Sequence, residues 1–299
     1  MARHRLLIGV AVVAAAGMLA SCSASSTAPG SGAGAVQPSA APTTFAPGTT
    51  MAAIQQRGKL IVGTAFTTTL FSVKNPTNGK VQGFDADIGR LMAAKITGSA
   101  DNIEFVETTA ENREPFASTG KVDMVIETYS ITPARQKVIS FAGPYYIAGQ
   151  DMLVPKASTG IKAVTDLNGK TVCAVSGTVT KDNVLAKAPQ AKVTEFTDGK
   201  QCVEGVKDGR FDTYVDDDVT HIGEVQLAPD QLRLVGAPFT KEPYGIGIKK
   251  GDTALQQFLN ATLTSAISDG TWRKIYDANI ASVSKTEPQI PTPGTIPTS

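Results

Sequence analysis

The chain has 299 residues, 41% of them hydrophobic, with 28 Lys and Arg against 27 Asp and Glu and only two His. The resulting formal charge of +1 gives no electrostatic footprint for a nucleic-acid or polyanion partner. Three cysteines are present, and no histidine lies at metal-ligand spacing from any of them, so neither a metal nor a cofactor is expected.

The basic start Arg3-His4-Arg5 precedes an unbroken small and apolar run from Leu6 to Ala20, the n-region and h-region of a secretory signal. At about 15 residues the run is short for a membrane span, which needs roughly 20. It ends in Leu19-Ala20-Ser21-Cys22, the pattern of bacterial lipoprotein signals, whose cysteine takes up a diacylglycerol. The expectation is a signal peptide over 1–21, with Cys22 left as the lipid-bearing first residue on the outer face of the cell membrane. A plain secretory signal followed by a free cysteine is the alternative. Loss of Arg3 and Arg5 takes the formal charge from +1 to −1.

From Ser23 to Thr50 no residue is charged, and Ala, Ser, Thr, Gly and Pro make up nearly all of the stretch. Such a composition cannot bury enough apolar surface to offset its ordering entropy. Residues 22–55 are therefore expected as a flexible linker, and the proline-rich residues 283–299 as a flexible tail.

Between them the pattern alternates. Lys59–Gly63 reads as a strand, and Phe84, Ile88, Leu91, Met92 and Ile96 recur at helical spacing. Ile103–Val106 and Val122–Ile126 are further strands with a helix between them, a βαβ series. The same grammar restarts at Thr171–Val175, runs through Val193–Phe196 and a helix containing Cys202, and reaches Phe211–Val215. Tyr244–Ile248 is another strand, and Asp252 is placed to cap a helix whose Leu255, Phe258, Leu259, Thr262, Leu263 and Ala266 share one face. Two α/β lobes follow. Cys173 and Cys202 are expected to pair in an oxidising compartment. Closing a loop of about 30 residues is worth roughly 3–4 kcal/mol.

Several separate motifs stand in order: Gly83-Phe84-Asp85-Ala86-Asp87-Ile88, Ser130-Ile131-Thr132-Pro133-Ala134-Arg135, Phe141-Ala142-Gly143-Pro144-Tyr145-Tyr146 and Glu242-Pro243-Tyr244-Gly245-Ile246-Gly247. Together they resemble the polar amino-acid branch of the solute-binding proteins that feed ABC importers, over nearly everything from Gln55 to Ile280. Thr128–Thr132, with Arg113 upstream and two cysteines in the second lobe, is most similar to the glutamate-binding lipoproteins of actinobacteria. The resemblance implies an α/β, two-lobed periplasmic-binding-protein fold of type II. Lobe one is expected at 56–147 plus 242–282, lobe two at 152–235, and the hinge crossovers at 148–151 and 236–241. It also implies a monomer that closes on an amino acid, L-glutamate before aspartate, glutamine or asparagine, and delivers it to a membrane permease.

The resemblance assigns site residues one by one. Arg135 falls at the clamp for the α-carboxylate, where a guanidinium makes two parallel hydrogen bonds. Ser130 adds its backbone N–H and hydroxyl, and the Thr128 carbonyl accepts from the α-ammonium. In the second lobe Thr178 and Thr180 follow a strand and open a helix whose free N–H groups receive an anion, with a tight turn and simple capping as the alternative. Asp217 pairs with the α-ammonium; the triplet Asp216-Asp217-Asp218 also admits a solvated acidic loop or a cation site. Arg113 aligns with an arginine that reads a side-chain carboxylate, with an exposed helical ion pair as the alternative. Phe66 or Phe71 is a candidate for the ligand's aliphatic part, and Lys74 for a second distal cation.

Two other classes were weighed. A sensor passing ligand occupancy to a membrane partner has the same sequence features as an importer's receptor. An enzyme is disfavoured: His221 stands alone outside the signal, no Ser, His, Asp order or glycine-rich nucleotide loop appears, and only Glu127 and Asp216 offer an acid and base near a cleft. The same fold nevertheless serves periplasmic dehydratases.

Overall fold

The structure, a computed structural model, describes residues 44–284 and 287–295. The signal sequence, Cys22 and most of the linker lie outside the described residues. The first lobe opens with α1 (Thr50–Arg57), β1 (Leu60–Thr64) and three short strands, β2 (Thr67–Thr68), β3 (Ser72–Lys74) and β4 (Val81–Gln82). It continues through α2 (Phe84–Thr97), β5 (Ile103–Glu107), α3 (Arg113–Thr119), β6 (Met124–Val125), α4 (Pro133–Gln136) and β7 (Ser140–Ala148). The second lobe holds β8 (Gln150–Pro155), β9 (Thr171–Val175), α5 (Thr180–Lys187), β10 (Lys192–Phe196), α6 (Gly199–Lys207), β11 (Thr213–Asp217), α7 (Asp218–Leu227) and β12 (Leu232–Leu234). The chain then returns to the first lobe in β13 (Glu242–Ile248), α8 (Thr253–Ser268) and α9 (Thr271–Asn279).

Each lobe is built on a five-stranded sheet, in the orders β5-β1-β6-β13-β7 and β10-β9-β11-β8-β12. In the first, β5, β1 and β6 run parallel while β13 is antiparallel to β6 and β7. In the second, β10, β9 and β11 are parallel and β8 is antiparallel to β11 and β12. The parallel strands need crossover helices, which is why the sequence alternates. Their carboxyl ends all face the same gap between the lobes, the position where open α/β sheets hold ligands.

The periodicities find their cores. Phe84, Ile88, Leu91, Met92 and Ile96 of α2 are buried against Leu60 and Val62 of β1, and Gly98 ends the helix in the left-handed region. Asp252 caps α8 by accepting from Leu255 N–H at 3.0 Å. Leu255, Leu259, Thr262, Leu263 and Ala266 are buried, while Phe258 meets Phe45 edge-on at 5.1 Å. Cys173 and Cys202 form a disulfide joining β9 to α6 inside a cluster with Leu153, Val206 and Tyr214.

Three boundaries differ from expectation. The last residues of the expected linker form α1, because Thr49 caps Ala52 N–H and Met51 and Ile54 are buried. The hinge is tighter, since β7 runs to Ala148 and β8 starts at Gln150. Its two crossovers lie side by side: Gln150 N–H donates to Thr240 Oγ1 and Phe239 N–H to the Gln150 carbonyl, each at 2.9 Å. Residues 287–295 of the expected tail have no helix or strand but are tied to the body. Arg273 pairs with Glu287 at 2.6 Å, and Gly294 N–H donates to the Gly143 carbonyl at 2.7 Å.

Candidate functional site

A cavity of about 300 Å³ opens between the lobes, within the range of small-ligand pockets. Its first-lobe wall is made by the loops after β1 (Ala65–Thr69), β5 (Glu107–Ala110) and β6 (Glu127, Thr128, Ser130), with Arg113 and Arg135. Its second-lobe wall comes from the loops after β9 (Thr178–Thr180) and β10 (Thr197–Lys200), with Asp216, Asp217, Thr220 and Glu224. Carboxyl side chains outnumber cationic ones in this lining: Arg113, Arg135 and Lys200 face Glu107, Glu127, Asp198, Asp216, Asp217 and Glu224.

Arg135 is 9% exposed. Thr132 caps α4 by accepting from Arg135 N–H at 3.2 Å, which fixes the arginine's start. Its guanidinium lies over the Tyr129 ring, 4.8 Å from the centre. It donates to the Ser130 carbonyl at 2.8 Å and to the Gly177 carbonyl at 3.0 Å, and its Nε faces Glu114 at 3.4 Å. Burial and the neighbouring Arg113 lower its pKa to about 10, so it stays charged at neutral pH.

Arg113 does not sit on a solvent-exposed helical face. It is 3% exposed, stacked on Tyr129 at 4.3 Å from the ring centre. Nε donates to the Ala110 carbonyl at 3.1 Å, Nη1 to the Glu127 carbonyl at 3.2 Å and Nη2 to the Gly177 carbonyl at 3.0 Å. The two arginines therefore share one end of the cavity and one second-lobe carbonyl.

Thr128 takes a left-handed backbone (φ 40°), a conformation that threonine adopts only under constraint. Its N–H donates to Asp85 Oδ2 at 2.8 Å, while Tyr145 O–H donates to Asp85 Oδ1 at 2.8 Å. Asp85 is the buried post of this turn. Burial pushes its pKa to about 7, against the pull of both donors.

In the second lobe Asp217 ends β11 and precedes α7. Tyr244 O–H donates to its Oδ2, while its buried Oδ1 has no partner among the described residues. Burial, with Asp216 and Glu242 nearby, holds its pKa well above the usual carboxylate range, and a cation placed against it would reverse that. The three aspartates take separate partners: Tyr214 donates to Asp216, Tyr244 to Asp217, and the Gly149 and Val219 N–H groups to Asp218. Asp216 and Asp217 line the cavity and Asp218 serves the hinge.

Thr178 and Thr180 both line the cavity, but their hydroxyls also hold the loop. Thr178 O–H donates to the Val175 carbonyl at 2.6 Å, and Gln150 Nε2 donates to Thr180 Oγ1 at 2.9 Å. Phe66 lines the wall, whereas Phe71 is wholly buried among Phe84, Tyr146 and Tyr244. Lys74 is exposed and absent from the lining, with its ammonium 4.8 Å from the centre of the Phe66 ring. The distal-cation assignment of Lys74 is thus corrected: β3 carries it to the outer side of Phe66.

Two features of the cavity fall outside the expected contact set. Glu127, read from the sequence only as a carboxyl near a cleft, lines the cavity buried without a role assigned to it as a ligand contact, and the Gly177 carbonyl is an inter-lobe acceptor. Thr69 O–H of the first lobe also donates to Glu224 Oε1 of the second at 2.8 Å.

Two α/β lobes on paired crossovers, with cations and turned backbone on one wall and a buried aspartate on the other, define a cleft receptor that can pair both charges of a zwitterion. The chain belongs to the bacterial extracellular solute-binding proteins, family 3, whose pattern it matches over residues 60–281. It is 38% identical to the ABC transporter glutamine-binding protein GlnH of Bacillus subtilis, over 76% of this chain and 83% of that one. To the glutamate-binding protein GluB of Corynebacterium glutamicum it is 32% identical, over 77% and 81%. A solved ancestral arginine-binding protein bound to arginine superposes with a TM-score of 0.70 at 34% identity, covering 75% of this chain and 99% of that one. All three are binding proteins. No helix among the described residues is long and apolar enough to cross a membrane.

Proposed function

We propose that the chain is the extracytoplasmic receptor of an ABC importer for a polar amino acid with an acidic or amide side chain. The carrying observation is the opposition of Arg135, Thr128 and Ser130 on one wall to Asp217 on the other within a single cavity. An unpaired charge out of water is costly, and an amino acid's α-carboxylate and α-ammonium match those groups in sign and number. A ligand bridging both walls favours the closed arrangement by its differential affinity for it. Arg113, Thr178, Thr180 and Phe66 complete the contact set.

The Bacillus relative's description as part of an ABC transporter supports delivery to a permease. Attachment through a diacylglycerol on Cys22 would keep the receptor beside it, with the charge-free linker giving reach. Calorimetric titration of the purified full-length chain against the common amino acids tests the proposal. It is overturned if no acidic or amide amino acid produces heat or a thermal shift. Cys22→Ser should release the protein from the cell surface while leaving affinity unchanged.

A further inference from the structure

We propose that Glu127 sets the side-chain selectivity of this cleft, favouring a ligand whose side chain donates hydrogen bonds, an amide, over one that carries a carboxylate. This rests on the amino-acid reading above and reverses the order that placed glutamate first.

Glu127 follows β6 and directly precedes Thr128, so it stands beside the turn assigned to the ligand's charged head. Its backbone carbonyl is fixed by Arg113 Nη1 at 3.2 Å. The residue is 5% exposed and lines the cavity, and its Oε2 has no hydrogen-bond partner among the described residues. A buried acceptor left unfilled is unfavourable, and a ligand that fills it gains correspondingly. A side-chain amide brings two N–H donors. A side-chain carboxylate brings only acceptors, and a like charge wherever Glu127 is ionised.

The arginine that would offset this repulsion has three of its five N–H donors committed to backbone. Nε, Nη1 and Nη2 of Arg113 each donate to a backbone carbonyl, and the guanidinium plane is stacked on Tyr129. The surrounding lining already holds more carboxyls than cations, so a ligand of net charge −1 enters unfavourable ground while a net-neutral one does not. Burial pushes the Glu127 pKa up to about 8, with Arg113 the main opposing influence. A hydrogen-bond donor supplied by the ligand favours the ionised form, and a second carboxylate disfavours it.

The test is a paired titration of the full-length chain with L-glutamine and L-glutamate, repeated for Glu127→Gln and Glu127→Ala. The expected result is that the unaltered protein binds glutamine at least tenfold more tightly than glutamate. Both variants should cut that ratio at least tenfold, through weaker glutamine and stronger glutamate binding. Tighter binding of glutamate by the unaltered chain, or a ratio that neither variant changes, overturns the assignment of Glu127 and leaves amino-acid binding intact. Failure of the unaltered chain to bind either ligand overturns the underlying reading. Should Glu127→Ala not fold, the near-isosteric Glu127→Gln carries the test.

Discussion

Arg113 and Arg135 reach the carbonyl oxygen of Gly177 from separate first-lobe helices, each at 3.0 Å. A second-lobe peptide thus sits in the grip of two first-lobe cations. Charge-assisted hydrogen bonds are the strong ones, so this contact joins the binding groups to the geometry of closure. Loss of Arg135 removes the proposed carboxylate clamp and one of the two donors. Truncating one partner of a buried charged pair costs about 2–5 kcal/mol, so Arg135→Ala should raise Kd at least about thirtyfold. Calorimetry measures this, and an unchanged Kd would remove Arg135 from the site.

Gly177 itself leaves no room for a side chain. Its φ is +75°, and an added Cβ would meet Glu111 N at 2.7 Å and the Ala110 carbonyl carbon at 2.9 Å, both backbone atoms of the opposing lobe. Backbone neighbours yield only if the lobes part. Gly177→Ala should therefore weaken ligand binding more than tenfold and abolish ligand-induced compaction in small-angle X-ray scattering. The left-handed backbone adds a stability loss of about 1–2 kcal/mol. Retained compaction would show that this contact is not needed for closure.

Much of this was legible in the chain because burial imposes a period. The apolar face of α2, the cap and inner face of α8 and the strand Thr171–Val175 lie where the pattern put them. The motif residues Arg135, Ser130, Thr128 and Asp217, far apart in sequence, all line one cavity. Short elements without a period escaped. The sheet of β2, β3 and β4 is made of strands of two or three residues, too short to register against loop. Gly177 acts through a carbonyl, which every residue has, so its type announces only the turn. Glu127 was legible only as a carboxyl near a cleft, since its residue type does not announce that the fold buries it to 5% exposure.

The disulfide has a separable role. Cys173 and Cys202 are 29 residues apart in sequence and buried in the second lobe, behind the cavity lining rather than in it. Closing such a loop restricts the unfolded chain and is worth about 3–4 kcal/mol. The double variant Cys173→Ala, Cys202→Ala should lose that much in denaturant unfolding and still bind its ligand with near-normal affinity. A loss of affinity without loss of stability would contradict this division.

Acid and alkali should act on different buried groups. Burial raises Asp85 from 3.8 to about 7 and Glu127 from 4.5 to about 8. A carboxyl that holds its proton more tightly when folded contributes stability in full below its unfolded pKa, and that contribution is lost as pH rises through the folded value. His221, wholly buried against Tyr214 with ring centres 4.8 Å apart, is lowered from 6.5 to about 3 by burial. Its contribution is present above 6.5 and is lost as pH falls toward 3. Between these limits the two trends oppose, and above about 6.5 only the carboxyls act. The melting temperature of the chain without added ligand should fall as pH rises from about 6.5 to 8.5. Glu127→Gln removes one of these buried carboxyls and should flatten that slope, with the gain largest at the alkaline end. Thermal melts across the range measure it directly, and parallel curves for the two proteins would mean that Glu127 ionises as freely in the folded chain as in the unfolded one.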